Sequence, residues 1–127
     1  MVHTMLTSAS RHLILVDDDP DVLDALRFAF EMEGYQVSLF SSGEQLLAQT
    51  PPGGSPACIV IDERLPGVTG MDTLQQLRAK GFSLPAILIT SHPSTALQRR
   101  AAAAKVEIVE KPLLSDALAR KVEALLI

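Results

Sequence analysis

Two short apolar runs, Leu13-Ile14-Leu15-Val16 and Cys58-Ile59-Val60-Ile61, each end abruptly in acid, the first in Asp17-Asp18-Asp19 and the second in Asp62. An unbroken run of this length, rich in branched residues, reads as a strand buried on both faces, the pattern of a parallel sheet covered by helices on either side. A third run, Pro85-Ala86-Ile87-Leu88-Ile89, ends instead in a hydroxyl, Thr90. In open parallel sheets, ligands lie in the crevice beyond the carboxyl ends of the strands. The polar residues that close these runs are therefore the candidate site, and Asp62 is the candidate reactive residue.

The segments between the runs have helical spacing. Pro20 suits the first position of a helix with Asp19 as N-cap, and Val22, Leu23, Leu26, Ala29 and Phe30 mark its apolar face up to Gly34. Tyr35 to Phe40 mixes polar and apolar residues, as a half-buried strand does. A short helix from about Gly43 to Gln49 precedes the breaker-rich Thr50-Pro51-Pro52-Gly53-Gly54-Ser55-Pro56. Beyond the Pro66-Gly67 turn, Met71, Leu74 and Leu77 predict a helix ending near Gly81, and an alanine-rich helix is expected over about Ser94 to Ala104. Val106 to Glu110 is a last strand with charge in it, Lys111-Pro112 follows, and Leu114, Leu118, Val122 and Leu125 mark a final helix.

Five strands alternating with five helices argue for the α/β class, a doubly wound parallel sheet. Strands one, three and four are uniformly apolar and belong in the centre, whereas two and five carry polar residues and belong at the edges. With right-handed crossovers that gives a flavodoxin-like order, 2-1-3-4-5, with its switch point between strands one and three. Asp17, Asp18 and Asp62 meet there, with Thr90 and Lys111 beside them.

The chain of 127 residues, 47% apolar, matches one domain, taken as residues 11–127 after a flexible tail over 1–10. A net charge of −4 argues against a broad basic surface for direct nucleic-acid binding. No apolar run approaches the ~20 residues that span a bilayer. The first ten residues lack a signal-peptide pattern, and there is a single cysteine, Cys58, placed in a buried strand. The cytoplasm is the expected location.

Three carboxylates at one sheet edge repel one another unless a cation intervenes. Carboxylates, carbonyls and water suit a hard ion such as Mg²⁺ better than Zn²⁺. Taken alone, Asp17 to Asp19 could simply cap a helix, and Thr90 and Lys111 could be an ordinary strand residue and a solvated lysine. Together they match what phosphoryl transfer needs, namely an acceptor oxygen, a metal-binding pair and donors to the phosphoryl oxygens.

These motifs, Val16-Asp17-Asp18-Asp19, Asp62 with Leu65-Pro66-Gly67 and Gly70, Thr90-Ser91, and Lys111-Pro112, resemble those of response regulator receiver domains of two-component signalling, over about residues 11 to 127. The resemblance implies that Asp62 is the phosphoacceptor, that Asp17, Asp18, Asp62 and the backbone carbonyl of Arg64 hold Mg²⁺, that Thr90 is the switch hydroxyl, and that Lys111 contacts the phosphoryl group. It further implies a cis peptide at Lys111-Pro112, and a sensor histidine kinase as the phosphoryl source. The protein would not be an enzyme for outside substrates, since it would phosphorylate and dephosphorylate only its own Asp62. The output would leave through the face formed by the fourth helix, last strand and last helix, toward a homodimer, a partner or a C-terminal output domain.

The segment Thr90-Ser91-His92-Pro93 and the short second helix are most similar to receivers attached to helix-turn-helix transcription regulators. Two positions depart from the family pattern. Ile108 stands where Phe or Tyr is usual, and Ala104 where a small residue, often Gly, is usual. His92, two residues past Thr90, could line the mouth of the site or be an ordinary loop residue. The rival readings are a pseudo-receiver that works as an interaction module without phosphorylation, opposed by intact Asp62, Thr90 and Lys111, and a metal-dependent phosphohydrolase, opposed by the lack of a second Asp two residues beyond Asp62.

Overall fold

The computed structural model describes residues 11–49, 57–113 and 116–126. The expected tail over 1–10, the breaker-rich segment from Thr50 to Pro56 and the apolar position Leu114 lie outside them. Among the described residues the elements run β1 (His12–Val16), α1 (Pro20–Met32), β2 (Gln36–Phe40), α2 (Gly43–Leu47), β3 (Ala57–Asp62), α3 (Gly70–Ala79), β4 (Ala86–Thr90), α4 (Thr95–Ala103), β5 (Glu107–Glu110) and α5 (Ala117–Leu125). The strands form one sheet in the order β2-β1-β3-β4-β5, every pair parallel. This is the topology expected from the placement of apolar and polar strands.

Alternation along the strands sends successive side chains to opposite faces of the sheet. Ile14, Val16, Ile59, Ile61 and Leu88 pack with Leu46 of α2, Met71, Leu74 and Leu77 of α3 and Ala101 of α4. Leu13, Leu15, Cys58, Val60, Ile87 and Ile89 pack on the other face with Leu23 and Phe30 of α1 and Leu118 and Val122 of α5. Both layers exclude water, so β1, β3 and β4 are buried almost throughout, whereas β2 and β5 stay half-buried at the edges.

The helix boundaries have local causes. Asp19 caps α1 by accepting from the Asp21 N–H, with Pro20 in the first turn, where its missing N–H costs no helical bond. Ser42, Thr69 and Ser94 cap α2, α3 and α4 in the same manner. Tyr35, expected at the start of the second strand, sits just before β2. Its ring meets Phe30 edge-on with centroids 5.5 Å apart, Arg11 lies 4.4 Å over its centroid, and its hydroxyl accepts from Arg11 at 2.6 Å. A large ring with a polar tip is placed best where both ends are served.

The turn from β3 into α3 fixes where Asp62 stands. A Cβ built at Gly70 would drive into the backbone carbonyl oxygen of Asp62 and lie 2.9 Å from Leu88 Cδ1. At Gly81, which has φ of +94°, an added Cβ meets nothing within 4 Å, so only backbone strain opposes a side chain there. Gly70→Ala is expected to destabilise the domain by about 1–3 kcal/mol in urea unfolding through overpacking, and also to slow any reaction at Asp62. Gly81→Ala should cost roughly 1–2 kcal/mol and leave that reaction unchanged. Equal effects of the two substitutions on Asp62 chemistry would contradict this account of Gly70.

Candidate functional site

The carboxyl ends of β1 and β3 deliver Asp17 and Asp62 side by side, both less than a tenth exposed, while Asp18, one residue further, is exposed. One carboxylate oxygen from each of the three lies within 4.8 Å of the others. They line a cleft of about 780 Å³ whose wall also includes Arg64, Ser91, His92 and Lys111. The switch point of the sheet thus gathers three carboxylates, two of them buried.

The two buried acids are held by different partners. The Lys111 ammonium donates to Asp62 Oδ2 at 3.0 Å, and the Arg64 N–H donates to Asp62 Oδ1 at 3.2 Å. Asp17 Oδ1 accepts from the Asp19 N–H at 2.9 Å, and the Asp17 N–H itself donates to the Phe40 carbonyl. Burial pushes the Asp17 carboxyl above the usual carboxylate range, the neighbouring charges of Asp62 and Asp18 push it the same way, and the Asp19 N–H and the Lys111 charge oppose them. The set is all oxygen, with no His or Cys in the cluster, and it fits a hard divalent cation that keeps several waters. Asp17, Asp18 and Asp62 are the side chains that would hold it.

Thr90 and Lys111 arrive from the ends of β4 and β5, and the Lys111 N–H donates to the Thr90 carbonyl at 2.9 Å. The buried Thr90 hydroxyl donates to the Ser91 carbonyl at 3.4 Å, and the cleft wall there is made by Ile89, Ser91 and His92. Thr90 follows Leu88 on the α3 and α4 side of the sheet, where Ile108 packs. The Lys111–Pro112 peptide is cis. His92 is exposed at the cleft mouth with φ of 47°. The sequence reading missed Glu63, whose half-buried carboxylate accepts from the Met71 N–H at 2.8 Å and so seats the amino end of α3 beside Asp62. An acid beside a strand-terminal Asp carries no distinguishing pattern, because its partner lies eight residues on.

Residues 13–123 match the family model described as response regulator receiver domain. The chain belongs to the response regulator receiver family. This receiver is 32% identical over 114 residues to the transcriptional regulatory protein FixJ of Bradyrhizobium diazoefficiens, a match covering 89% of this chain and 55% of FixJ. It is 38% identical over 112 residues to the C4-dicarboxylate transport transcriptional regulatory protein DctD of Pseudomonas aeruginosa, covering 87% of this chain and 24% of DctD. The chain therefore spans about half or less of the length of these relatives. Among solved structures, the response regulator StyR superposes with a TM-score of 0.83 at 31% identity, over 93% of this chain and 60% of StyR. TrrA of Thermotoga maritima, solved with Mg²⁺ and BeF, superposes with a TM-score of 0.76 at 26% identity, over 91% of this chain and 99% of TrrA. No helix among the described residues is long and apolar enough to cross a membrane.

The raised Asp17 carboxyl has a stability consequence with a definite sign. The folded receiver binds this proton more tightly than the unfolded chain, so the group costs nothing below the ordinary carboxylate range and costs stability as pH rises from there through the raised folded value. Asp17→Asn is expected to raise the urea midpoint at pH 7 with EDTA present, and the gain should close as the pH falls toward about 4. A variant less stable than the parent at both pH values would contradict the cost of burying this charged carboxylate.

Proposed function

We propose that this receiver accepts a phosphoryl group on Asp62 from the phosphohistidine of a sensor histidine kinase and acts as a signalling switch. Receiver domains as a family are phosphorylated by histidine kinases, and the observation that carries the reading to Asp62 is its position. It is a buried carboxylate at the switch point, inside the acid cluster, with Lys111 on one oxygen. An Asp62 oxygen attacks phosphorus while the bond to the donor imidazole nitrogen breaks, so the imidazole departs with the bonding pair and the acyl phosphate forms. Lys111, already within 3.0 Å of Asp62, exchanges part of that contact for a phosphoryl oxygen. The Thr90 hydroxyl turns from the Ser91 carbonyl to donate to another. Attack by water on the same phosphorus later returns free Asp62 and inorganic phosphate, which limits the chemistry to the protein's own residue.

Asp17, Asp18, Asp62 and the Arg64 carbonyl are the proposed ligands of Mg²⁺. When bound, it neutralises charge on the transferring phosphoryl oxygens. The output leaves through α4, β5 and α5, as a homodimer contact or toward a C-terminal output domain. The likeness to FixJ and DctD, both named transcriptional regulatory proteins, favours a DNA-binding output module on the full-length protein.

Acetyl phosphate with Mg²⁺ is expected to add one base-labile phosphoryl group to the receiver, read by intact mass, and none to Asp62→Asn. Equal labelling of both proteins would remove Asp62 from the role. Mg²⁺ alone should raise the melting temperature, by the equivalent of about 2.7 kcal/mol at a hundredfold excess over Kd, and Asp18→Asn should blunt the rise. A melting temperature indifferent to millimolar Mg²⁺ in the parent would count against the acid cluster as a metal site.

A further inference from the structure

Helix α4 is well formed but thinly packed. Ser94 caps it by accepting from the Leu97 N–H at 3.0 Å, and Gln98 Nε2 donates back to the Pro93 carbonyl at 3.1 Å. Yet Ala101 is its one buried residue, with Leu97 half-buried beside it, whereas α3 buries Met71, Thr73, Leu74 and Leu77. An alanine side chain buries little apolar area, so the apolar hold on α4 is weak. What ties it down is polar. Arg100 donates to Asp72 Oδ1 and to Gln75 Oε1, both on α3 and both at 2.6 Å, and Arg78 of α3 donates to the Ala104 carbonyl at the end of α4.

The backbone on either side of α4 is strained. His92 (φ 47°) precedes the helix and Lys105 (φ 59°) follows it, and among the described residues these two are the non-glycine positions with positive φ. Left-handed conformations at residues bearing a Cβ persist only where the surroundings impose them, and they concentrate at switch regions. The α3 contacts also lead back to the cleft. Glu63, next to Asp62, bonds the Met71 N–H at the start of α3 and lies within electrostatic reach of both Asp72 and Arg100.

We propose that Arg100 is a latch that holds α4 against α3 in the resting domain through Asp72 and Gln75, and that its release lets α4 swing on His92 and Lys105 once Asp62 carries a phosphoryl group. This rests on the phosphorylation reading above. New negative charge on Asp62 acts on Glu63 and on the Thr90–Pro93 loop that leads into α4, and so on both ends of the arrangement that seats Arg100. A two-state element biased from the cleft is what such a signal requires, and α4 has one strained pivot at each end and a breakable bond between.

The test compares the parent chain with Arg100→Ala, Asp72→Ala, the double variant and Arg99→Ala, a control on the same helix. Amide hydrogen exchange and beryllofluoride affinity in Mg²⁺ are measured for each. Without beryllofluoride, Arg100→Ala is expected to speed exchange over residues 95–104 by about three- to fivefold, the worth of a partly exposed ion pair, with β1 and β3 unchanged. Its beryllofluoride affinity should rise by a similar factor, because the active arrangement no longer competes with the latch. Asp72→Ala, which leaves the Gln75 contact in place, should act in the same direction but less, the double variant no more than Arg100→Ala alone, and Arg99→Ala not at all. If Arg100→Ala matches a beryllofluoride-binding parent in both measurements, or speeds exchange with no gain in affinity, the latch is overturned while the phosphorylation reading stands. A parent chain that does not bind beryllofluoride overturns both.

Discussion

Two aspartates at the ends of neighbouring strands, Asp17 and Asp62, are almost removed from water while lying within 4.8 Å of one another and of the exposed Asp18. Like charges at that distance repel by on the order of 3 kcal/mol at an effective dielectric of 20, and burial adds the loss of hydration. The countercharge within the chain is the Lys111 ammonium, 3.0 Å from Asp62. It reaches Asp62 only because β5 lies beside β4 and β4 beside β3, so the strand order is what makes the acidic edge tolerable. A pair of this kind contributes little net stability, since desolvation offsets most of the attraction. Its consequence is chemical: a carboxylate kept dry, oriented and already facing a cation.

The helices divide the remaining work unequally. On one face α1 and α5 close over Leu13, Leu15, Val60 and Ile89, and the Asp19 cap of α1 also places the Asp19 N–H on Asp17. One short segment thereby starts a helix and steadies a site residue. On the other face α3 is seated deeply and is fixed to the site through Glu63 and the tight approach of Gly70 to the Asp62 carbonyl. Helix α4, with little apolar area to bury, hangs on arginine contacts to α3. Opening is easiest where apolar contacts are few, and α4, beside Thr90, buries Ala101 alone.

Ile108 fits that picture. It is half-buried on the α4 side of the sheet, paired in register with Leu88, in a position where the family usually carries an aromatic ring. A β-branched side chain is restricted at χ1 and has no ring to swing. In the proposed switch, movement would come from backbone and helix, and the positive-φ residues His92 and Lys105 lie on either side of α4.

The sequence by itself determined the architecture and the gathering of Asp17, Asp18, Asp62 and Lys111 at one edge of the sheet. Apolar runs ending in Asp17, Asp62 and Thr90 specify buried parallel strands with polar residues at the ligand-binding edge, and the contrast between apolar and mixed strands orders the sheet. These signals are legible because they are local, resting on periodicity, caps and the chemistry of a strand's last residue. What tertiary structure decided is how those groups are engaged: Lys111 on Asp62, the Thr90 hydroxyl on the Ser91 carbonyl, Glu63 on the Met71 N–H and Arg100 on Asp72 and Gln75. The contacts that link elements join residues eight to forty-nine positions apart. No periodicity encodes such pairs, because their distances are set by the packing of whole elements, and an exposed-looking arginine or glutamate reads the same in sequence whether it meets solvent or another helix.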